Sequence, residues 1–464
     1  MWRSDTVGHL ARFISFFDSV PGGLVWALRS LIVLGLVLWV ALPQVQESFD
    51  ASRRYAAVGE SDWEGTNNAL ESARCARKTG AWLLRSCENG QVVPFSAEDP
   101  GQPLLLSLWA RLAGRDATVM DAARLNLGIN VLCLAILIGA LISLGAFVTS
   151  VVLLLLGPVI FLFYFGTSPH WSLMGAASIQ IILPLALIAR AKGWLQPAAS
   201  GALIAIGVAS LALVALLRES VGTMALLMTI CAAAWTMRYG RRGGRHLATT
   251  VAILLVAVVA SQSSRLIVAA RDWAYSLDAA HLPATHGMSH TLYIGLGGVP
   301  NKFGIEYDDA VGRAAASAAV PGIVHYSKDY FRVMRELYIR KWQEDPREMI
   351  RIYFEKLKLM FTDHIFGAGH PALGTMLALF VAIQLVTGYR HWTAGDRGSD
   401  TRLAINVVAL GFVGLFVVQG VLATPTRLYS LPLGPFVLVL AGIAIENLGA
   451  WVWSLATRSI PRPP

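Results

Sequence analysis

Charge is what this sequence has least of. Only 14% of its 464 residues are Asp, Glu, Lys or Arg, where a soluble domain carries about a quarter. The deficit excludes an ordinary soluble protein. A formal charge of +9 remains, but no basic patch is interleaved with aromatics on a soluble face, so nucleic acid is not an expected partner. Several motifs are missing as well. No CxxC, HExxH, GxSxG or Walker-type loop stands where it could work. Low-complexity tracts and short internal repeats are absent too.

Present instead are unbroken apolar runs of about 17–22 residues, long enough to cross a hydrocarbon core as helices. Run length predicts about ten spans, near 24–43, 122–145, 148–165, 173–190, 199–217, 221–237, 246–262, 371–389, 403–423 and 429–450. The first continues too far for a cleaved signal. With the N-terminus inside, the inner loops collect Arg3, Arg12, Arg190, Lys192, Arg238, Arg241, Arg242, Arg245, Arg390, Arg397, Arg402, Arg458 and Arg462. The short outer turns hold only Arg218 and Arg427. This asymmetry sets the orientation.

The expected fold class is an all-α polytopic membrane protein with two mainly helical extracytoplasmic loop domains. Its parts are a cytoplasmic N-terminus and first span (1–43), a first outer segment (44–121) and a six-helix core (122–262). A second outer segment (263–370) and three C-terminal spans with a cytoplasmic tail (371–464) complete it.

In the first outer segment, "SDWEGTNNALESARCARKTG" reads as a helix capped by Ser61 or Asp62 and ended by Gly80. "DPGQPLLLSLWARLAG" reads as an interfacial helix with Leu104, Leu105, Leu108 and Leu112 on one face. Cys75 and Cys87 have eleven residues between them; a bridge and two free thiols are both open. Cys133 and Cys231 read as apolar packing in spans.

In the second outer segment, "DPREMIRIYFEKLKLMFTDH" predicts a helix capped by Asp345, with Pro346 in its first turn and Glu348 completing a box. The expected apolar face is Ile350, Tyr353, Phe354, Leu357, Met360 and Phe361. The expected polar face is Arg351, Glu355, Lys356 and Lys358. "SKDYFRVMRELYIRKW" has a similar pattern. "HLPATHGMSHTLYIGLGGVPNKFGIEYDD" has little periodicity and reads as a functional loop, with "GLGGVP" a turn.

Glu60, Asp62 and Glu64 cluster just outside the membrane. A carboxylate there can act as general base, or hold a divalent cation, Mg²⁺ or Mn²⁺, that neutralises a phosphate leaving group. Helix capping is the alternative. His281, His286 and His290 have a spacing that would suit a metal on one helical face, but Pro283 and Gly287 oppose a regular helix, which favours polar loop contacts. Arg218 and Arg427, at the depth of lipid phosphates, suit phosphate oxygens. Snorkelling is the alternative for both, and a pair with Glu219 for Arg218. His290, Tyr293, Asp99 and His170 are candidate acceptor contacts, and Tyr429 accompanies Arg427.

Taken together, "ESDWEGTNNALESARCARKTG", the "DPGQPLLLSLWARLAG…DAARLNLGIN" run, the long outer loop after the seventh span and "TRLYSLPLGPF" resemble the GT-C superfamily of membrane glycosyltransferases. "HTLYIGLGGVPNKFGIEYDD" is similar to bacterial membrane proteins of unassigned substrate in that class. The resemblance implies an inverting transfer of sugar from a polyprenyl-phosphate donor to a glycan or lipid acceptor outside the inner membrane of a bacterium. It implies Asp62, with Glu64 in reserve, as base and Arg427 as the contact of the carrier phosphate. Two departures stand out: Trp63 separates the acidic pair, and Leu428 splits the family's Arg-Tyr pair. The rival readings are a transporter or flippase of lipid-linked saccharides, which calls for ionisable residues and broken helices inside spans, and a non-catalytic membrane subunit.

Overall fold

The computed structural model describes residues 22–47, 50, 64–86, 93–94, 99–162, 166–239, 244–277, 287–360, 397–424 and 432–458. Among these residues the regular structure is helical apart from one pairing of two short antiparallel strands, β1 (Leu84–Ser86) and β2 (Val93–Pro94).

The helices, in chain order, begin with α1 (Gly22–Leu36, continuing through a π turn at Val37–Ala41), α2 (Glu64–Thr79), α3 (Gly101–Ala113), α4 (Val119–Ser143) and α5 (Phe147–Leu162). Next are α6 (Pro169–Lys192), α7 (Pro197–Leu217), α8 (Glu219–Tyr239), α9 (Gly244–Ser261) and α10 (Ser263–Ala274). The second outer segment supplies α11 (Met288–Gly295), α12 (Asp309–Ala319), α13 (Lys328–Glu344) and α14 (Pro346–Leu359). The last two are α15 (Arg397–Leu422) and α16 (Leu433–Arg458).

Among the described residues, six helices are long and apolar enough to cross a membrane, and seven if α9 and α10, bent by 54°, form one span. The expected spans at 148–165 and 429–450 correspond to shorter apolar helices, Phe147–Gly157 and Leu433–Gly449. The expected span at 371–389 lies outside the described residues.

The apolar stretch of helix α6 is enclosed on every side, as a helix at the centre of a bundle must be. It is built in pieces, with 3-10 turns at Pro169–Ser172 and Ile179–Ile181. Its neighbours approach closely through small residues. A Cβ on Gly207 of α7 would lie 2.7 Å from the Leu183 Cβ of α6, and one on Gly442 of α16 would lie 2.6 Å from the Thr149 Cα of α5. Phe412 of α15 and Phe436 of α16 stack with centroids 4.9 Å apart.

The contacts sort the helix ends into two groups. At one end Thr149 N–H donates to Glu446 at 2.9 Å, Lys192 pairs with Asp400 at 3.0 Å and Arg402 donates to Asn447 at 2.9 Å. At the other end gather α2, α3, the 166–171 loop, the α7–α8 corner, α10 to α14 and the end of α15. Two apolar clusters of their own form there: Ala69, Ala73, Leu83, Leu106 and Ala110 in the first outer segment, and Tyr330, Val333, Met334, Met349 and Ile352 in the second.

Several local expectations hold. Gly80 follows α2 with a positive φ of 78°, and Asp345 caps α14 by accepting the Glu348 N–H at 3.0 Å, with Pro346 in the first turn. Three are corrected. Glu348 does not close a box; its carboxylate accepts the Lys302 N–H at 2.9 Å and pairs with Arg351. The faces of α14 also differ from the pattern. Met349, Ile352 and Lys356 are fully buried, while Ile350 and Phe354 are 61% and 64% exposed. The third is α11, a helix inside a stretch that reads as loop; Gly287 starts it in extended conformation, so the glycine that argued against a helix marks its boundary.

Candidate functional site

The site grows from a tight passage. Asp99 adopts a left-handed backbone, φ 51°, and α3 begins two residues later. Gly101 is pressed against α7, where a Cβ would meet the Leu216 carbonyl at 2.9 Å, so no larger residue fits. This approach carries the Asp99 carboxylate to Arg218, the residue between α7 and α8, at 2.6 Å. The same carboxylate accepts the Glu219 N–H at 3.3 Å, at the positive end of α8. Arg218 therefore pairs with Asp99, not Glu219, whose carboxylate pairs with Arg265.

Beside this corner runs the 166–171 loop. Asn126 and Asn130, one turn apart on α4, hold it: Asn126 donates to the carbonyls of Gly166 and Ser168 at 2.9 Å each, and Asn130 donates to that of Trp171 at 2.9 Å. The Thr167 carbonyl accepts from Thr66 of α2 at 3.0 Å and Gln102 of α3 at 2.8 Å. His170 is buried, its Nδ1 2.9 Å from the Ser168 hydroxyl. Glu64 opens α2, two residues before Thr66. Four sequence-predicted residues from four segments, Glu64, Asp99, His170 and Arg218, thus belong to one corner of the bundle.

The α7–α8 corner is tied onward to α15. Gln419 donates to the Ser220 hydroxyl at 3.0 Å. Four residues later, the Ala423 carbonyl accepts from the buried Lys356 ammonium at 2.9 Å, and that of Leu422 from the same group at 3.5 Å. The Tyr353 ring lies 5.3 Å from this Nζ. Burial pushes the Lys356 ammonium down to about 7 from its ordinary value of 10.5. Lys356 sits at the negative end of α15. Sequence reading placed it on a solvated face.

His290 and Tyr293 are not at this corner. His290 is fully buried, with Nδ1 2.6 Å from the Tyr330 hydroxyl and Nε2 3.0 Å from Asp309. Both ring nitrogens are engaged, and among the described residues no group of three or more His, Cys, Asp or Glu is placed to hold a metal ion. Burial, aided by the charge of Glu344, pushes the Tyr293 phenol up. Asp62, His281, His286, Arg427 and Tyr429 lie outside the described residues.

The first outer segment is braced separately. Cys75 is disulfide-bonded, whereas Cys133 and Cys231 are free thiols. Trp82 N–H donates to the Tyr275 hydroxyl at 2.8 Å, and fully buried Arg271 pairs with Asp272 at 2.7 Å. Compared with known proteins, the chain matches no protein-family model, no curated protein and no solved structure.

Proposed function

We propose that this chain is an integral-membrane glycosyltransferase of the GT-C type, with about ten spans, in the inner membrane of a bacterium. It moves a sugar from a polyprenyl-phosphate donor to a glycan or lipid acceptor on the extracytoplasmic side. The observation that carries the reading is the convergence of the α2 start, Asp99, His170 and Arg218 at one bundle end, linked through Ser220–Gln419 to the end of α15. A disulfide at Cys75 supports an oxidising compartment for that end.

In this reading the acceptor hydroxyl gives its proton to the carboxylate of Asp62, or of Glu64, as its oxygen attacks the anomeric carbon. The bond from that carbon to the phosphate oxygen breaks with inversion, and the carrier phosphate leaves with the electron pair. Arg427 meets the developing negative charge. Arg218 already has Asp99 against it, so its part is to hold the corner and lend one partly neutralised donor. A Mg²⁺ or Mn²⁺ ion at the phosphate is compatible with this chemistry and is not required by it.

The test is transfer by the purified protein in lipid, with polyprenyl-phosphate sugars as donors and mass spectrometry of the lipids that co-purify. A prenyl phosphate retained by wild type and lost in Arg427→Ala supports the reading. Absence of both transfer and retained prenyl phosphate removes it.

The transporter reading has one observation in its favour, the segmented α6 at the centre of the bundle. Its polar side chain Gln180, however, is satisfied by the carbonyls of Ala176 at 2.8 Å and Ser210 at 3.1 Å. No Asp, Glu, Lys or Arg occurs between Pro169 and Ala189.

A further inference from the structure

Helix α10 is amphipathic in the wrong sense for a helix surrounded by water. Its buried side carries Ser264 and Arg271, and polar contacts tie that side down. Ser263 donates to the Ala212 carbonyl of α7 at 2.8 Å, and Arg271 pairs with Asp272 and reaches the Leu83 carbonyl at 3.5 Å. Just past the helix, the Tyr275 hydroxyl accepts the Trp82 N–H. The outer side carries Leu266, Ala269, Ala270 and Trp273, all exposed. At about 100° per residue these four cover an arc of roughly 100°, and no polar residue of α10 falls within it. Arg265 and Asp272 lie along one edge, already paired with Glu219 and Arg271. Trp273 is 86% exposed. An apolar outer side over a polar inner one suits a helix whose surroundings are apolar.

The stripe continues the exposed surface of α9. That helix has 18 residues, so it is about 27 Å long and nearly matches a hydrocarbon core by itself. Val251, Leu255 and Val259 are exposed on it. Counted through Gln262 at about 100° per residue, they fall in line with Leu266 and Trp273. The 54° bend comes where the length of α9 is used up. Beyond it, the 12 residues of α10 advance only about 11 Å along the α9 axis. The helix therefore stays near the edge of the core, and a Trp at its far end suits that depth.

We propose that α10 is an interfacial helix whose face of Leu266, Ala269, Ala270 and Trp273 seats in the adjoining leaflet, where acyl chains meet headgroups. The occupant is bilayer lipid, because the stripe is an unbroken extension of the exposed apolar surface of a span. This separates α10 from the rest of the second outer segment, which lies beyond the bilayer. It also separates α10 from the second half of a bent span, which would cross the core. The inference does not rest on sugar transfer.

The test uses the full chain in phosphatidylcholine vesicles, with Cys231→Ser to remove the exposed free thiol. Leu255→Cys, Leu266→Cys, Ala270→Cys, Trp273→Cys and Val324→Cys are made one at a time and labelled with a nitroxide. The Cys231→Ser chain alone supplies the background. Collision of the nitroxide with oxygen, which concentrates in hydrocarbon, is compared with collision with a nickel chelate, which stays in water. The ratio of the two rates reports depth. Leu255, on α9, marks the core, and Val324, exposed between α12 and α13, marks water. The ratio should fall from Leu255 through Leu266 to Trp273, and at Leu266, Ala270 and Trp273 it should stay above the value at Val324. Ala270→Cys adds a single sulfur atom at an exposed position, so its depth stands even where Trp273→Cys disturbs packing.

Ratios at Leu266 and Ala270 equal to that at Val324 overturn the proposal, because α10 then lies in water. Labels that neither reagent reaches also overturn it, because the stripe is then covered by the chain itself or by a second copy. A ratio at Trp273 as high as that at Leu255 makes α10 part of a span that crosses the core. A water-like ratio at Leu255 removes the span that the stripe continues, and the proposal with it.

Discussion

The Asp99 carboxylate lies 2.6 Å from the Arg218 guanidinium and joins two residues 119 apart in the chain. One is fixed by a left-handed turn before α3, the other by the break between α7 and α8. Both side chains are mostly shielded, 17% and 22% exposed. At that exposure the pair is worth more than a surface ion pair, but truncating one member leaves the other short of a partner. Asp99→Asn and Arg218→Met should each cost about 1–3 kcal/mol. A double-mutant cycle from thermal or denaturant melts should return a coupling of similar size. A coupling below about 0.5 kcal/mol would mean that the pair does not hold the corner.

For Asp62 and Glu64, function and folding should separate. Asp62→Asn should lower transfer by about 100-fold or more if Asp62 is the base. Its cost in stability should stay near 1 kcal/mol, the scale of a helix-start charge. Glu64→Gln serves as the comparison, since Glu64 is the first residue of α2. Unchanged transfer by Asp62→Asn together with loss in Glu64→Gln moves the base to Glu64.

Arg427 is tested by keeping its charge and removing its fork. Arg427→Lys should weaken donor use, and Arg427→Ala should weaken it further, by about 1.5–3 kcal/mol if one charge-assisted contact is lost. Donor dependence measured in one detergent decides it. Identical behaviour of Arg and Lys would leave snorkelling as the role of this residue.

Lys356 makes stability depend on pH in a direction fixed by its burial. The folded chain releases this proton near pH 7, against an ordinary value of 10.5. Between those limits the unfolded chain carries the proton and the folded chain does not, so stability rises with pH across that window and falls as pH drops toward 7. The slope is on the order of 1 kcal/mol per pH unit where the difference is complete. Lys356→Met should flatten it. Thermal midpoints of the two proteins between pH 7 and pH 10 measure this; parallel curves would place the ammonium in contact with solvent.

The sidedness of the two outer segments is open to labelling. Glu71 and Val324 are exposed on them, and Ser143 is exposed at the other end of the bundle. Cysteines at positions 71 and 324 should react with an impermeant thiol reagent in intact cells, and one at 143 only after permeabilisation. A reversed pattern at either of the first two overturns the orientation.

Much of this architecture is written in the sequence because a bilayer imposes a local rule. An apolar run of sufficient length must become a helix, since no water is there to satisfy its backbone. That rule places α1, α4, α6, α7, α8 and α15, and cap chemistry places the start of α14 at Asp345. What the tertiary structure decided is pairing and facing. Arg218 has Glu219 beside it in sequence yet takes Asp99, because Gly101 lets α3 close on Leu216. Lys356 looks solvated by periodicity and is buried, because the carbonyl end of α15 offers it acceptors. Ile350 and Phe354 look like core and face outward. Periodicity tells which residues share a face; it does not say what medium or neighbour that face meets, and beside a membrane apolar surface need not turn inward.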